Sequence, residues 1–172
     1  DTLRRYTAPR LQTSTLASID GSATVSDARR SKQASFPVDS RNESNPATRL
    51  RQRIFDFTNH HTGYGLAVPG QPGFNVIQYG VGDEYDWHCD GACDGLPHRE
   101  GGRVATMLVY CKLADAGGGT IFPQSGVYVK PKVGGALFFS YMGDDGVMDD
   151  GLTEHAGCPV EAGEKLVAPM WT

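Results

Sequence analysis

A series of short β-branched and aromatic runs, separated by glycine, proline and aspartate, most constrains what this chain can fold into. Only one clear amphipathic helix precedes them, and the 172 residues include 22 glycines and 10 prolines, which suits many tight turns. Several short strands after a single helix predict a mainly β fold with flanking helices, a double-stranded β-helix (jelly roll, cupin-like). The predicted strands lie within FNVIQYGVG, RVATMLVYCKL, GTIFP, GVYVKP, GALFFSY and EKLVAPMW.

The segment NPATRLRQRIFDFTNHHTG predicts the helix. Leu50, Ile54 and Phe57 recur at i, i+4 and i+7, which predicts one buried stripe. Residue types typical of helix ends flank this stripe. They are Asn45 as the N-cap, Pro46 at the first helical position, His60 and His61 in the last turn, and Gly63 as the stop.

The region before this helix has little apolar periodicity. Residues 1–11 are predicted to end a helix that Pro9 closes, and residues 12–44 to form short strands and a long mobile loop. The ARRSK stretch within this region is typical of a solvated basic turn. Its functional alternative is a loop that closes over a substrate, and residues 17–40 are expected to take part in substrate choice.

Composition and charge limit the classes of function. The formal net charge is −4, so no overall basic field favours nucleic acid as a partner. No run of about 18 apolar residues exists, so no membrane span is predicted. The length and a hydrophobic content of 39% predict one domain over residues 1–172 with a sizeable core. The opening DTLRRYTAPRL has no signal-peptide pattern and is expected to lie inside a longer protein.

Four cysteines permit disulfides but do not require them. They are Cys89, Cys93, Cys111 and Cys158. Free thiols or one disulfide are expected. The alternative is a partial zinc site formed by Cys89, Cys93 and His98, for which no fourth ligand is evident.

The stretch YDWHCDG places His88 and Asp90 two residues apart. On a β-strand both side chains would point to the same face, although a surface histidine followed by a turn-forming aspartate is the structural alternative. A third metal ligand is expected from a distant strand. His155, in LTEHAGCPV, precedes a strand-like tail, whereas His98 lies in a predicted loop tip. Two histidines and one carboxylate on one face of a metal suit non-haem Fe(II), which must also bind a co-substrate and O₂.

Lys165 lies in the apolar run EKLVAPMW. A lysine inside a barrel strand is unfavourable unless its charge is paired, so we expect it to bind the carboxylate of a small acid. Thr120, in GGGTIFP, could donate a hydroxyl hydrogen bond to the same carboxylate. An edge-strand lysine that points to solvent is the structural alternative.

Five segments together resemble the catalytic domain of the prolyl 4-hydroxylases, which are Fe(II)- and 2-oxoglutarate-dependent dioxygenases of the collagen and plant or algal type. The resemblance spans roughly Pro9 to Trp171. The pattern Y-x-x-G-x-x-Y-x-x-H-x-D, with a later histidine and lysine ten residues apart, is specific in combination, whereas HxD alone is weak. Leu166 departs from the family, in which an aromatic often follows the lysine. The segments are YGVGDEYDWHCD, RVATMLVY, GGGTIFP, VYVKPKVGGALFF and HAGCPVEAGEKLVAPMW.

The resemblance implies roles for side chains of three kinds. The iron ligands would be His88, Asp90 and His155. The contacts to 2-oxoglutarate would be Lys165 at the C5 carboxylate, Thr120 beside it, and Tyr79 near the C1 end. The side chains lining the peptide site would be Tyr85, Arg103 and Trp171. For Tyr79 and Trp171 a place in the core is the structural alternative, and for Arg103 a place on the surface.

The implied reaction is peptidyl-prolyl 4-hydroxylation with Fe(II), 2-oxoglutarate and O₂, giving 4-hydroxyproline, succinate and CO₂. Ascorbate would restore oxidised iron, and the partner would be a proline-containing peptide or protein. The alternatives are an oxygenase acting on another residue or a small molecule, a non-catalytic module that binds proline-rich peptides, and a cupin-like zinc or manganese protein. The acidic loop MGDDGVMDDGLTE is typical of a solvated turn cluster, with attraction of a basic peptide as its alternative. The resemblance favours the endoplasmic reticulum lumen or secretory pathway, with the cytoplasm as the alternative, and leaves the substrate and oligomeric state open.

Overall fold

The structure is a computed structural model that describes residues 2–17, 23–38, 41–67 and 73–172. Helix α1 spans Thr2–Thr7 and continues into a 3-10 turn at Ala8–Arg10, and helix α2 spans Pro46–Thr62. The strands of these ranges are β1 (Gln12–Thr13), β2 (Leu16–Ala17), β3 (Ala23–Thr24), β4 (Lys32–Phe36), β5 (Phe74–Tyr79), β6 (Tyr85–His88), β7 (Ala105–Lys112), β8 (Ala116–Gly117), β9 (Thr120–Phe122), β10 (Val127–Val129), β11 (Ala136–Ser140), β12 (His155–Gly157), β13 (Val160–Ala162) and β14 (Lys165–Trp171).

Two antiparallel sheets make up the jelly roll, which confirms the predicted fold class. The larger sheet has the order β1-β4-β5-β14-β7-β11, and the smaller has the order β10-β9-β12-β6. Two short ribbons, β13-β8 and β2-β3, are the other paired strands among the described residues. All six strand runs predicted from the sequence contain strands of these sheets.

Alternation along the strands of the larger sheet separates a core from a cavity, because successive side chains of a strand point to opposite faces. On β14, Leu166, Ala168 and Met170 belong to the core that packs under α1 and α2. Lys165 and Val167, one position out of phase, line the cavity between the sheets. The register of this central strand therefore decides which side chains face the cavity.

Helix α2 begins and ends as predicted, but its buried face differs. The Asn45 side chain accepts a hydrogen bond from the Ala47 backbone N–H, and Gly63 ends the helix with a left-handed φ of 70°. Ile54 is buried and Leu50 packs against the core, as predicted, but Phe57 is 43% exposed, so the predicted stripe is wrong at that residue. The buried face is centred nearer Arg51 and Thr58, and Phe57 lies roughly 100° around the helix from that centre. Its ring packs at the edge of the helix, 5.5 Å from the ring of Phe138.

The segment before α2 contains the predicted short strands, β1 to β4, but its loop is shorter than predicted. Strand β4 lies inside the larger sheet, between β1 and β5, so a mobile loop is wrong for residues 32–36. Arg29 is buried rather than solvated, because residues 28–30 pair with residues 84–86 along the edge at β6. Residues 18–22 and 39–40 of the predicted loop lie outside the described residues.

The four cysteines form one disulfide and two free thiols. Cys89 and Cys93 are joined, and Cys111 and Cys158 are free. The alternative of a partial zinc site with His98 is therefore wrong, because neither bonded sulfur is a thiolate. Neither helix in the described part of the chain is both long and apolar enough to cross a membrane.

Candidate active site

One cavity between the two sheets gathers nearly all the side chains that the sequence singled out. Its walls include aliphatic and aromatic groups from the larger sheet, which keep the polar groups in an apolar surround. Arg103 is the exception among the predicted residues, since it lies beside the cavity rather than in its wall. The predicted residues in the wall are Tyr79, Tyr85, His88, Asp90, Thr120, His155, Lys165 and Trp171.

The two cavity histidines face each other across neighbouring strands. His88 on β6 and His155 on β12 are partners in the antiparallel register, and their ring centroids are 4.2 Å apart. Phe139 packs against the His155 ring at 4.9 Å. The strand pairing therefore fixes two imidazoles side by side from residues far apart in the sequence.

Asp90 completes a three-residue cluster, although not in the predicted way. Strand β6 ends at His88, so Asp90 reaches the histidines from the following bend rather than from the same strand. Candidate ligand atoms of all three residues lie within 4.8 Å of one another. The Asp90 carboxylate oxygens stand 3.5 Å from Nε2 of His88 and 3.8 Å from Nε2 of His155.

The hydrogen bonds around this cluster suit a metal. Nδ1 of His88 lies 2.8 Å from the Asp86 carbonyl, and Nδ1 of His155 lies 2.9 Å from the Thr153 carbonyl. A carbonyl only accepts, so each Nδ1 carries the proton and each Nε2 offers a lone pair to the cluster centre. The two imidazoles and one carboxylate are the donor set of non-haem iron, and they leave the opposite face open.

The charges of the ligand side chains also suit a bound metal. Burial lowers the pKa of His155, so its imidazole is neutral near pH 7. Burial alone would raise the pKa of Asp90, but the imidazoles of His88 and His155 and the hydroxyl of Thr106 lower it to about 2. Thr106 donates to Asp90 Oδ2 at 2.7 Å. The cluster therefore presents the Asp90 anion and the neutral His155 imidazole, as binding of a divalent cation requires.

Lys165 is the second chemical feature of the cavity. Its side chain is 3% exposed, and it forms no ion pair with any carboxylate in the described part of the chain. Burial lowers its pKa to about 8, so the ammonium is still mostly protonated at neutral pH. An unpaired buried cation is unfavourable, and an anionic ligand in this cavity would relieve that cost.

Polar groups surround the space between Lys165 and the metal cluster. Tyr79 pairs with Lys165 in the β5–β14 register, and its ring centroid lies 5.2 Å from Nζ. Burial raises the pKa of Tyr79, so its hydroxyl keeps its proton and can donate. Thr120 is buried, and its hydroxyl lies 2.9 Å from the Tyr110 hydroxyl. One of the two O–H groups is used within this pair, so the pair leaves one hydroxyl proton to donate; Thr120, which lines the cavity, can present it to a carboxylate held at Lys165.

The mouth of the cavity carries aromatic and guanidinium groups. The Tyr85 ring stacks on His88 with centroids 3.5 Å apart, and the Arg29 guanidinium lies 4.9 Å from the Tyr85 ring centroid. Arg29 donates through Nη1 to the Thr15 carbonyl, yet its buried Nε and Nη2 have no hydrogen-bond partner among the residues that the structure describes. A buried donor without a partner is unfavourable, so this side chain suits an acceptor brought by a ligand.

Arg103 and Trp171 lie beside this mouth. The Arg103 guanidinium stacks over the Trp171 ring at 4.4 Å and donates through Nη1 to the Asp90 carbonyl at 3.1 Å. The buried Nε1 of Trp171 has no hydrogen-bond partner within the described ranges. Both side chains line a surface groove, and the hydrogen bond from Arg103 joins this groove to the loop that bears Asp90.

Sequence reasoning missed three residues of this arrangement. Arg29 lies in a basic stretch that is typical of a solvated turn. It is buried only because its backbone pairs with Tyr85 at the edge of the smaller sheet. Thr106 and Tyr110 lie on β7 and resemble ordinary strand residues in the sequence. Only the packing of the two sheets brings their hydroxyls within hydrogen-bond distance of Asp90 and Thr120. Alternation along RVATMLVY could have shown that both share a face, but not what they would face.

The acidic loop forms internal turns that use part of its charge. Asp145 accepts from the Val147 backbone N–H at 3.0 Å. Asp149 accepts from the Gly151 backbone N–H at 2.7 Å and from the Thr153 hydroxyl. These bonds agree with the predicted turn cluster, and they hold the segment that leads into His155.

Comparison with known proteins gives a consistent result. The model of the 2OG-Fe(II) oxygenase superfamily matches residues 74–172. Prolyl 4-hydroxylase subunit alpha-1 of Gallus gallus is 35% identical over 177 residues, covering 99% of this chain and 32% of that protein. The Homo sapiens subunit alpha-1 is 36% identical over 169 residues, covering 95% of this chain and 30% of that protein. The chain thus spans about a third of the length of these curated relatives.

Solved structures share the fold. The viral collagen prolyl hydroxylase of Paramecium Bursaria Chlorella virus-1, in its 2OG complex, superposes with a TM-score of 0.67 at 28% identity, covering 83% of this chain and 78% of that one. A prolyl-4-hydroxylase of Pseudomonas putida has a TM-score of 0.62 at 18% identity, covering 98% of this chain and 80% of that one. The second likeness supports the fold alone.

Proposed function

Since the chain belongs to the 2OG-Fe(II) oxygenase superfamily, we propose that it is a 2-oxoglutarate-dependent dioxygenase that hydroxylates peptidyl proline at C4. The observation that carries the proposal is the content of one cavity: a three-ligand cluster open on one side, and an unpaired buried lysine. A structural zinc site would be closed by four protein ligands, and a plain peptide-binding groove would need neither feature.

His88, Asp90 and His155 would hold Fe(II) through the two Nε2 atoms and a carboxylate oxygen. Bound there with 2-oxoglutarate, Fe(II) supplies the activation of O₂, and the reaction gives hydroxylated substrate, succinate and CO₂. The chain itself keeps the imidazole lone pairs aimed at the cluster centre through the carbonyls of Asp86 and Thr153.

Lys165 would bind the C5 carboxylate of 2-oxoglutarate, with the Thr120 hydroxyl beside it and the Tyr79 hydroxyl nearer the C1 end. The ammonium and the carboxylate would neutralise each other in an apolar surround, where a charge-assisted hydrogen bond is strong. This clamp orients the opposite end of the dicarboxylate toward the histidines. Leu166 is no obstacle to it, because that side chain faces the helix-covered core instead.

The proline-containing peptide would bind at the mouth, against Tyr85, Arg103 and Trp171. The partnerless N–H groups of Trp171 and Arg29 suit the carbonyl oxygens of an extended peptide, which lacks internal hydrogen bonds. The aromatic rings offer flat apolar surface to a proline ring. Collagen-like repeats, other proline-rich proteins and a single regulatory proline would all present these groups.

We expect ascorbate to support turnover and the protein to act in an oxidising compartment such as the endoplasmic reticulum lumen. The Cys89–Cys93 disulfide favours that compartment over the cytoplasm, because cytosolic thiols are kept reduced.

The test is turnover on a panel of proline-containing peptides, read by mass spectrometry. The protein is loaded with Fe(II) and 2-oxoglutarate without oxygen and then exposed to O₂. A gain of about 16 Da on proline, with an equal amount of succinate, is expected from the reaction stoichiometry. His88→Ala should lose both products. Succinate without hydroxylated proline would move the substrate to another residue or a small molecule, and no 2-oxoglutarate binding would refute the catalytic proposal.

A further inference from the structure

The Cys89–Cys93 disulfide encloses one of the proposed metal ligands. Cys89 stands between His88 and Asp90, and Cys93 follows Asp90 by three residues. The ring that the disulfide closes therefore contains Asp90, Gly91 and Ala92. Both sulfur-bearing side chains are half-buried, and Ala92 is exposed, so the ring lies at the protein surface beside the cavity.

Asp90 needs such a constraint because it lies outside the sheet. The pairing of β6 with β12 reaches His88 and stops there, so no strand pairing in the described part of the chain fixes the Asp90 backbone. Its carbonyl is held by one guanidinium, that of Arg103, which is exposed. Its carboxylate is held by the Thr106 hydroxyl, which orients the group but does not hold the bend.

The backbone of the bend is also tightly packed against its neighbours. A Cβ at Gly91 would lie 2.3 Å from Cε2 of Tyr141 and 2.9 Å from the Arg103 carbonyl. The backbone of the ring thus lies directly on a buried aromatic, and a different path for residues 89–93 would move Asp90 away from the histidines. A short covalent ring restricts these residues to few backbone conformations.

The residues that follow the ring are hydrogen-bonded to the segment that precedes His155. Just after Cys93, the Gly95 N–H donates to the Asp149 carbonyl, and the Met148 N–H donates to the Leu96 carbonyl. Asp149 in turn accepts from Thr153. The Thr153 carbonyl is the acceptor for Nδ1 of His155. The disulfide therefore lies at the start of a continuous set of contacts that reaches both sides of the metal cluster.

We propose that the Cys89–Cys93 disulfide positions Asp90 for metal binding, so that the affinity for a divalent metal falls when the disulfide is reduced. The proposal rests on the proposed metal site but not on the identity of the substrate. Cys89 and Cys93 act through Asp90 and are positioning residues. Loss of the bond frees the bend, and a carboxylate that samples other positions binds a cation less tightly.

The test is a titration of metal-free protein with Mn(II), followed through the paramagnetic resonance signal of the free ion. Mn(II) prefers carboxylate and imidazole donors to thiolates, so newly formed thiols compete little. A trialkylphosphine reduces the disulfide: the S–S bond breaks, the phosphorus takes the oxygen of a water molecule and becomes a phosphine oxide, and the two hydrogens end on the sulfurs. The phosphine is removed before titration, and diamide then re-forms the bond as it is reduced to a hydrazine.

Reduced wild-type protein and the double variant Cys89→Ser, Cys93→Ser should both bind Mn(II) about 10-fold or more weakly than the oxidised protein, the range typical of groups that orient a ligand. Re-oxidation should restore the wild-type affinity, and the double variant should not respond to phosphine. Cys111→Ala is the matched control, because it removes a thiol that packs on the core, and it should keep both the affinity and the response.

Circular dichroism at the titration temperature shows that each species is folded, and reversal on re-oxidation separates positioning from denaturation even if the double variant fails to fold. Equal Mn(II) affinity of the oxidised and reduced folded wild type would overturn the proposal. If the oxidised wild type itself does not bind Mn(II), the metal site proposed above is refuted instead.

Discussion

Replacing Lys165 by methionine should stabilise the ligand-free protein while it removes 2-oxoglutarate binding. Burial lowers the pKa of Lys165 from 10.5 to about 8, and at roughly 1.4 kcal/mol per pKa unit this difference amounts to about 3 kcal/mol of unfolding free energy. Methionine has a similar length and no charge, so we expect the free energy of unfolding at pH 7 to rise by about 1–3 kcal/mol.

The sign of the pH dependence follows from the same values. Below pH 8 the lysine is protonated in both the folded and the unfolded state, and the full penalty is present. Between pH 8 and 10.5 the unfolded state binds more protons than the folded state, so the stability of the wild type rises with pH relative to the variant. The advantage of Lys165→Met should fall from roughly 3 kcal/mol at most at pH 7 to roughly 1 kcal/mol at pH 10.

Urea denaturation of metal-free protein at the two pH values measures this advantage, and calorimetric titration with 2-oxoglutarate measures the loss of binding. Lys112→Met is the control, because Lys112 is partly exposed and pairs with Glu164 at 2.6 Å. That variant should be destabilised by up to about 1 kcal/mol and should still bind 2-oxoglutarate. A Lys165→Met protein that is 2 kcal/mol or more less stable than wild type would refute the reasoning, since it would mean that the ammonium has a stabilising partner.

Three further variants test other contacts of the site. Thr106→Val removes the hydroxyl that orients Asp90 and should weaken Mn(II) binding about 10-fold in a direct titration, and unchanged affinity would show that this bond is dispensable. Gly91→Ala places a Cβ against Tyr141 and should lower the free energy of unfolding in urea by roughly 1–3 kcal/mol, whereas an unchanged midpoint would mean that the bend shifts freely. Arg103→Ala should raise the KM for peptide and leave the 2-oxoglutarate affinity in calorimetry unchanged, and the reverse pattern would place Arg103 at the wrong ligand.

The sequence was sufficient for the fold class and the strands because short apolar runs with strong turn signals are local information. The same holds for helix α2, whose ends are fixed by the Asn45 cap and by Gly63. Phe57 shows the limit of periodicity: three apolar positions defined a stripe, but the buried face was set by which side of the helix meets the larger sheet.

The composition of the cavity could be predicted in kind but not in detail. A histidine, a carboxylate and a lone lysine in an apolar strand indicate a metal and anion site from residue type alone. The placement of Asp90 beyond its strand and the burial of Arg29 depend on pairings between segments far apart in sequence. The Cys89–Cys93 bond was one of several open possibilities, since spacing alone does not decide whether two thiols meet.

The most direct test of the central claim is turnover under ¹⁸O₂ in ordinary water, with a peptide that the wild-type protein converts. If the cavity activates O₂ with Fe(II) and 2-oxoglutarate, the hydroxyproline should carry oxygen from the gas, seen as a gain of about 18 Da rather than about 16 Da, with label also in succinate. His155→Ala should give neither product. Hydroxyproline whose formation needs no 2-oxoglutarate, or succinate without label, would contradict the account.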